Sequence, residues 1–183
     1  MLSRTLLVFL FLSVCSAGSS LSCRWLDHKF RQHSESSLNL LDMMVTNSTN
    51  TTEDAGVEMK HFPDELYRQA SKATAEDKLG FIVQVLEETV VLFEEDHSSA
   101  SWEENTVENF LNVVTQQADG LRSCIWSHGH KKNKKLHMYF KRLSRHVLHQ
   151  MGHSAEAWEL IRTQIQTHLM RADLLASSLL NIN

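Results

Sequence analysis

The sequence predicts an all-α protein, a single bundle of about six helices with up-and-down or crossover connections. Only one proline and six glycines occur among the 183 residues, so little interrupts helical structure. Apolar residues recur every three or four positions, which places them on one face of a helix, and no alternating run is flanked by hairpin turn signals. Each helix can bury its apolar stripe only against other helices, and a helical bundle provides that packing.

The chain opens with the features of a secretory signal peptide. One basic residue precedes an apolar run from Leu6 to Val14, and small residues follow. This run is too short for a membrane anchor. Small residues at the −3 and −1 positions allow cleavage after Ala17 or after Ser22, and we favour the second. We therefore expect a signal peptide over 1–22 and one helical domain over 23–183, secreted and without membrane insertion.

The first half of the mature chain predicts a long helix, a loop and a short helix. The long helix runs from about Cys23 to Val45. Its stripe is Leu26, Phe30, His33, Ser37, Leu41 and Met44. The polar loop over 46–56 contains two sequons, so Asn47 and Asn50 are candidate glycosylation sites. Pro63, followed by two acidic residues, suits the first turn of the short helix.

The middle of the chain predicts a third helix over 75–96 and a fourth over 102–124. The stripes are Leu79, Ile82, Leu86, Val90 and Phe93 in the third helix and Val107, Phe110, Val114 and Leu121 in the fourth. The third helix carries further apolar residues, so we expect it to be covered on more than one side. Ser101 and Glu104 form a capping box that would begin the fourth helix.

Two more helices complete the prediction. The fifth runs over 134–151 and ends at Gly152, and Ser154 caps the sixth. The apolar stripe of the sixth helix is Trp158, Ile161, Ile165, Leu169, Ala172, Leu175 and Leu179. Its other stripe is Glu159, Arg162, Thr163, Gln166, Thr167 and Met170. That second stripe is predicted to face water, and helix periodicity alone does not give its role.

Two cysteines remain once the leader is removed, Cys23 and Cys124. An even number in an exported protein favours a disulfide. By the loss of chain entropy in the unfolded state, closing a loop of about 100 residues would stabilise the fold by about 4.7 kcal/mol. The alternative is a pair of free, buried thiols.

Charge is segregated along the chain. Residues 79–121 contain nine acidic residues and no Lys or Arg, whereas residues 120–155 contain eight Lys or Arg and no acidic residue. One interpretation is that the two regions pack against each other as solvated, complementary charges. The alternative is that the basic run binds glycosaminoglycans or microbial surfaces. Its leading residues are Lys131, Lys132, Lys134 and Lys135. Nucleic acid is not expected, because the run has no platform of stacking aromatics.

Enzyme and metal chemistry have little support in the sequence. It contains no G-x-S-x-G, Walker or dinucleotide-binding motif. Six of the eleven histidines lie between His128 and His153, and His149 and His153 are four apart. Because no acidic residue lies among them and no H-E-x-x-H is present, we expect no metal site. No catalytic residue and no cofactor are predicted.

Three stretches of the sequence resemble a known family. They are Cys23–Leu26 at the start of the mature chain, Phe62–Tyr67 in the short helix, and Ala157–Arg162, an Ala-Trp-Glu-x-x-Arg segment, in the last helix. Together they resemble the type I interferons, and the two mature cysteines resemble the two-cysteine group of bony fish. The resemblance covers essentially the whole chain.

The resemblance implies a fold and a function. The fold would be a class II helical cytokine, and the protein would bridge two chains of a class II cytokine receptor. Janus kinase/STAT signalling and antiviral gene induction would follow. In this family the first helix, the loop after it and the last helix bind the high-affinity chain. Arg162 matches the arginine of the family segment, and Thr163 and Gln166 lie beside it, so these three are the candidate receptor contacts.

Overall fold

The computed structural model describes residues 23–44, 62–125 and 131–180, and all regular structure in these ranges is helical. Six helices longer than one turn are present there, besides a 3-10 turn at Ser98–Ala100. They are α1 (a π-helical turn, Leu26–Phe30, continuing as the α-helix Arg31–Met43), α2 (Asp64–Ser71), α3 (Ala75–Phe93), α4 (Glu104–Arg122), α5 (Lys134–Leu143, continuing as the π-helical turn Ser144–His149) and α6 (Ala155–Leu180). The predicted signal peptide and the predicted glycosylation sites Asn47 and Asn50 lie outside the described residues.

Side-chain caps begin three of the helices. The Thr74 hydroxyl accepts a hydrogen bond from the backbone N–H of Asp77 at the start of α3. The Asn133 side chain accepts two such bonds at the start of α5. At the start of α6 the Ser154 hydroxyl accepts from the N–H of Ala157 at 3.2 Å, as predicted. Each cap satisfies backbone donors that a helix leaves unpaired in its first turn.

The predicted capping box at Ser101 is wrong. Ser101 has a left-handed backbone conformation, with φ of 55°, and Glu103 is the residue that precedes α4. The reason is the residue between them. Trp102 stacks on Phe93 with the ring centroids 5.8 Å apart, and it also packs edge-on against Trp158. With Trp102 packed in this aromatic cluster, Ser101 is left-handed and Glu103 is extended, so the helix begins at Glu104, later than local sequence predicts.

Helices α1 and α3 occupy opposite positions in the bundle, each packed against both α4 and α6. Helix α3 also contacts α2 and α5. Thirteen of its 19 residues are buried, which confirms that it is covered on more than one side. Helix α5 packs against α3 and α6. Each large apolar side chain buried in this way contributes about 1.5–3 kcal/mol.

A disulfide joins Cys23 and Cys124, with the Cα atoms 5.5 Å apart, and ties the start of α1 to the end of α4. The Trp25 ring lies directly over Gly120, where a Cβ atom would collide with it. Glycine at this position therefore lets α1 approach α4 closely. Within the described ranges, no helix is long and apolar enough to cross a membrane.

Candidate functional site

The three predicted contact residues all lie on α6, in the part that packs against the last turn of α1. Arg162 is buried, Gln166 is partly exposed and Thr163 is exposed. The structure brings Asp42, from the end of α1, to the same place, and Met43 is the next residue along α1. The α1–α6 face is defined here as Asp42, Met43, Thr163, Gln166 and Met170, with Arg162 beneath it.

Arg162 is not the exposed side chain that the polar stripe predicts, since only 7% of its surface is accessible. Its guanidinium donates to both carboxylate oxygens of Glu159, at 2.9 and 2.6 Å, and to the backbone carbonyl of Leu41 at 3.3 Å. The bonds that Glu159 accepts raise the pKa of Arg162 above its ordinary value. The prediction of exposure is wrong because helix periodicity does not show that the end of α1 covers this position.

Thr163 and Gln166 remain accessible. The Thr163 hydroxyl donates to the Glu159 carbonyl within α6 at 3.0 Å, whereas the Gln166 amide donates across the helix interface to the Asp42 carboxylate at 2.7 Å. This second bond links α1 to α6 at the surface. The role of Arg162, Thr163 and Gln166 in receptor contact stays a prediction.

Two exposed methionines complete the α1–α6 face. Met43 is 69% exposed and Met170 is 54% exposed, and Met170 lies one turn beyond Gln166 on α6. Methionine adapts its shape to a partner and is enriched in protein interfaces. Asp42 is absent from the predicted site because only tertiary contact brings it to α6, and Met43 joins the face as its neighbour in the chain. Their one local signal is that Met43, although apolar, falls outside the buried stripe of α1.

A second polar side chain of α6 is buried in a different environment. His168 is fully buried, and Phe62, Tyr67, Tyr139 and Phe140 surround its ring, with centroids 4.6–5.7 Å away. Its Nδ1 lies 2.6 Å from the Tyr67 hydroxyl, and its Nε2 has no hydrogen-bond partner among the described residues. Burial lowers the pKa of His168 to about 3, so the imidazole is neutral at physiological pH.

The basic segment packs against the acidic helix α3. Lys132 and Arg122 both bind the Glu87 carboxylate, at 3.2 and 2.5 Å, and His137 lies 3.0 Å from Glu88. Burial alone would raise the pKa of Glu87, but the hydrogen bonds from the two cations bring it below its ordinary value. These contacts support complementary packing of the two charged regions. All four predicted lysines of the segment are exposed, and among them Lys132 binds Glu87.

Comparisons with known proteins agree with this architecture. The family model for the interferon alpha/beta domain matches residues 26–179. The chain is 37% identical to interferon a3 of Oncorhynchus mykiss over 171 residues, which are 93% of this chain and 94% of that protein. It is 26% identical to interferon tau-5 of Ovis aries, over 90% of this chain and 87% of that one.

A solved structure gives the same result for the fold. The structure of zebrafish interferon 1 superposes on this chain with a TM-score of 0.72 at 32% identity, over 86% of this chain and 99% of the zebrafish one. The all-helical bundle is therefore that of a class II helical cytokine, as predicted. Proteins of this family are cytokines and not enzymes. The chain belongs to the interferon alpha/beta family, the type I interferons.

Proposed function

We propose that this interferon is secreted and bridges two chains of a class II cytokine receptor, so that receptor-bound Janus kinases phosphorylate STAT factors and antiviral genes are induced. Membership of the family supports the signalling step. The apolar run at the start of the chain supports secretion. The observation that carries the proposal is the α1–α6 face, where polar groups held by hydrogen bonds lie beside two exposed methionines.

In this proposal the residues of the site have two roles. Thr163, Gln166 and Met170 touch the receptor directly, because they are accessible on consecutive turns of α6. Arg162 is a positioning residue. Its guanidinium binds Glu159 and the end of α1, and so holds the outer residues in place for binding. Preorganised side chains bind with a smaller loss of conformational entropy.

STAT phosphorylation in receptor-bearing cells tests this function. We would compare purified, disulfide-bonded mature protein with the variant Thr163→Ala, Gln166→Ala, Met170→Ala. The expected result is prompt phosphorylation by the parent protein and at least a tenfold loss of potency in the triple variant, about 1.4 kcal/mol of binding free energy. All three changes are to accessible positions and to a good helix former, so the fold should be kept.

The matched control is the variant Lys134→Ala, Lys135→Ala, Met138→Ala. It truncates three exposed residues of α5, again including one methionine, which is 45% exposed. Full potency in this variant together with a weakened α6 variant supports the α1–α6 face. Full potency in both variants would keep the cytokine function and reject the face, and no phosphorylation by the parent protein would reject the function.

A second candidate function is direct binding to glycosaminoglycans through the exposed Lys131, Lys134 and Lys135. Lys132 contributes less in this proposal because it already binds Glu87. Electrostatic binding of this kind weakens steeply with salt. A heparin column with a salt gradient tests it, since the α5 variant should elute at lower salt and the α6 variant unchanged. Equal elution of all three proteins would reject the lysine site.

Mass spectrometry of the secreted product tests the predicted processing. We expect the chain to begin at Cys23 and to carry glycan at Asn47, Asn50 or both. An N-terminus at Gly18 would show that the other cleavage site is used, and an unprocessed N-terminus would reject the signal peptide.

A further inference from the structure

We propose that Glu95, His149 and His153 form a binding site for a divalent transition-metal ion, with Zn²⁺ the best match. The three side chains come from different parts of the bundle. Glu95 follows α3, His149 ends α5, and His153 lies in the turn before α6. One carboxylate oxygen and two imidazole nitrogens lie within 4.8 Å of one another. The absence of acidic residues from this stretch of sequence argued against a metal site, and the fold supplies the missing carboxylate.

The geometry fits a shared ion. Nε2 of His149 lies 3.1 Å from Oε2 of Glu95, and Nε2 of His153 lies 3.0 Å from the same oxygen. Ligand atoms bound at about 2.0–2.1 Å to one tetrahedral Zn²⁺ are separated by roughly 3.3 Å. Each imidazole nitrogen therefore needs to move away from the shared carboxylate oxygen by only a few tenths of an ångström, and all three ligand atoms already lie within 4.8 Å of one another. Two imidazoles and one carboxylate are a known zinc ligand set that leaves a fourth position for water.

The chain conformation positions His153 at the site. Gly152 and His153 both have positive φ, 61° and 53°, which ends α5 and reverses the chain. The N–H of His153 donates to the Leu148 carbonyl at 2.8 Å, and the Ser99 hydroxyl donates to the His153 carbonyl. A backbone held in this way keeps His153 next to His149, with the ring centroids 5.0 Å apart.

The surroundings also suit a cation. Ser144, one turn before His149 on α5, hydrogen-bonds the Glu95 carboxylate, which is how outer residues commonly orient a metal ligand. Asp96 adds a second negative charge close to His153. Glu95 and His153 are about three-quarters buried, whereas His149 is 57% exposed. The site is thus partly enclosed and has an open side through which an ion enters.

An ion at this position would link the segment after α3 to the α5–α6 turn. A ligand that binds only the folded state stabilises it in proportion to the logarithm of its concentration. Zn²⁺ should therefore raise the melting temperature of the protein, and the rise should require all three ligands.

Metal titration of the purified, disulfide-bonded protein tests the site. We expect isothermal titration calorimetry to show one Zn²⁺ bound per chain, and Co²⁺ to give the visible absorption of a tetrahedral complex. The variants His149→Asn, His153→Asn and Glu95→Gln should each weaken binding at least tenfold. The matched controls His146→Asn and Glu94→Gln change exposed neighbours outside the cluster and should bind as the parent protein does.

A measurement on the parent protein guards against misfolded variants. Co²⁺ is paramagnetic, so the imidazole proton resonances of His149 and His153 should shift or broaden before those of the other nine histidines. Binding that persists in the double variant His149→Asn, His153→Asn would overturn the proposal. So would Co²⁺ that shifts or broadens the resonances of other histidines before those of His149 and His153. Absence of stoichiometric Zn²⁺ uptake by the parent protein would also overturn it.

Discussion

Arg162 and His168 lie six residues apart on α6, and both are buried. Their charge states differ, because one side chain is ionised and the other is neutral. The Arg162 guanidinium keeps its charge, since it donates to the Glu159 carboxylate and to the end of α1. His168 meets aromatic rings and one hydroxyl, and it loses its charge. A buried charge survives only where partners replace the water it has lost.

The two regions also differ in their access to the protein surface. The Arg162 network reaches the surface through Glu159 and the neighbouring Gln166–Asp42 bond, so it can act on a binding partner. The His168 cluster is closed by Phe62 and Tyr67 from the segment at α2, so its effects are on stability. The same helix therefore carries a region suited to recognition and a region suited to packing.

The largest effect we expect is a pH dependence that comes from His168. In the unfolded chain the imidazole binds a proton near pH 6.5, whereas in the folded protein it stays neutral down to about pH 3. The unfolded state binds the extra proton in this window, so stability falls as pH falls. At pH 4 the loss relative to pH 7 should be about 3 kcal/mol, measured by urea unfolding.

The variant His168→Gln isolates this effect from the carboxylates, which also lose stability in acid. Glutamine keeps a partner for Tyr67 but does not titrate. Its unfolding free energy should change less than that of the parent protein between pH 6.5 and pH 4. Parallel curves for the two proteins would mean that His168 is not the source.

The next largest effect is expected for Arg162→Met at neutral pH. The change leaves Glu159 and the Leu41 carbonyl without their donor, and we expect a loss of about 2 kcal/mol in urea unfolding. Arg162→Lys, which keeps the charge but not the paired geometry, should lose roughly half as much. An unchanged stability in both variants would show that water replaces the arginine as a donor to Glu159 and Leu41. It would reject the view that buried partners stabilise the Arg162 charge.

A smaller effect is expected for Tyr67→Phe. Removing the hydroxyl leaves Nδ1 of His168 buried without a partner, which should lower the free energy of unfolding by about 1–2 kcal/mol. The double variant Tyr67→Phe, His168→Leu removes both polar partners and should lose less than the sum of the two single changes. Additive losses would indicate that the hydrogen bond contributes little.

The smallest effect on stability is expected for Gln166→Ala. Its bond to Asp42 is at the surface, so the free energy of unfolding should change by no more than about 0.5 kcal/mol. Potency in STAT phosphorylation should fall, in contrast to Tyr67→Phe, which should leave potency unchanged at temperatures where the protein is folded. Equal potency in both variants would remove the functional distinction between the two regions.

Local sequence predicts the helices well and their ends less well. The Ser154 cap is correct because hydrogen bonds within one turn determine it. The predicted cap at Ser101 is wrong because the next residue, Trp102, packs on Phe93 and Trp158, which lie outside the local sequence that the prediction used. The fifth helix ends close to its predicted terminus, but periodicity does not show that its last turn is π-helical.

Residue type and short-range spacing were enough to predict the helical class, the apolar stripes, the two cysteines available for a disulfide and the interferon family. The burial of Arg162, the neutral state of His168 and the position of Glu95 beside His149 and His153 follow from the packing of the helices. These properties depend on which distant groups replace water around a side chain. No local pattern encodes that environment, since desolvation and pairing energies arise only when the helices pack.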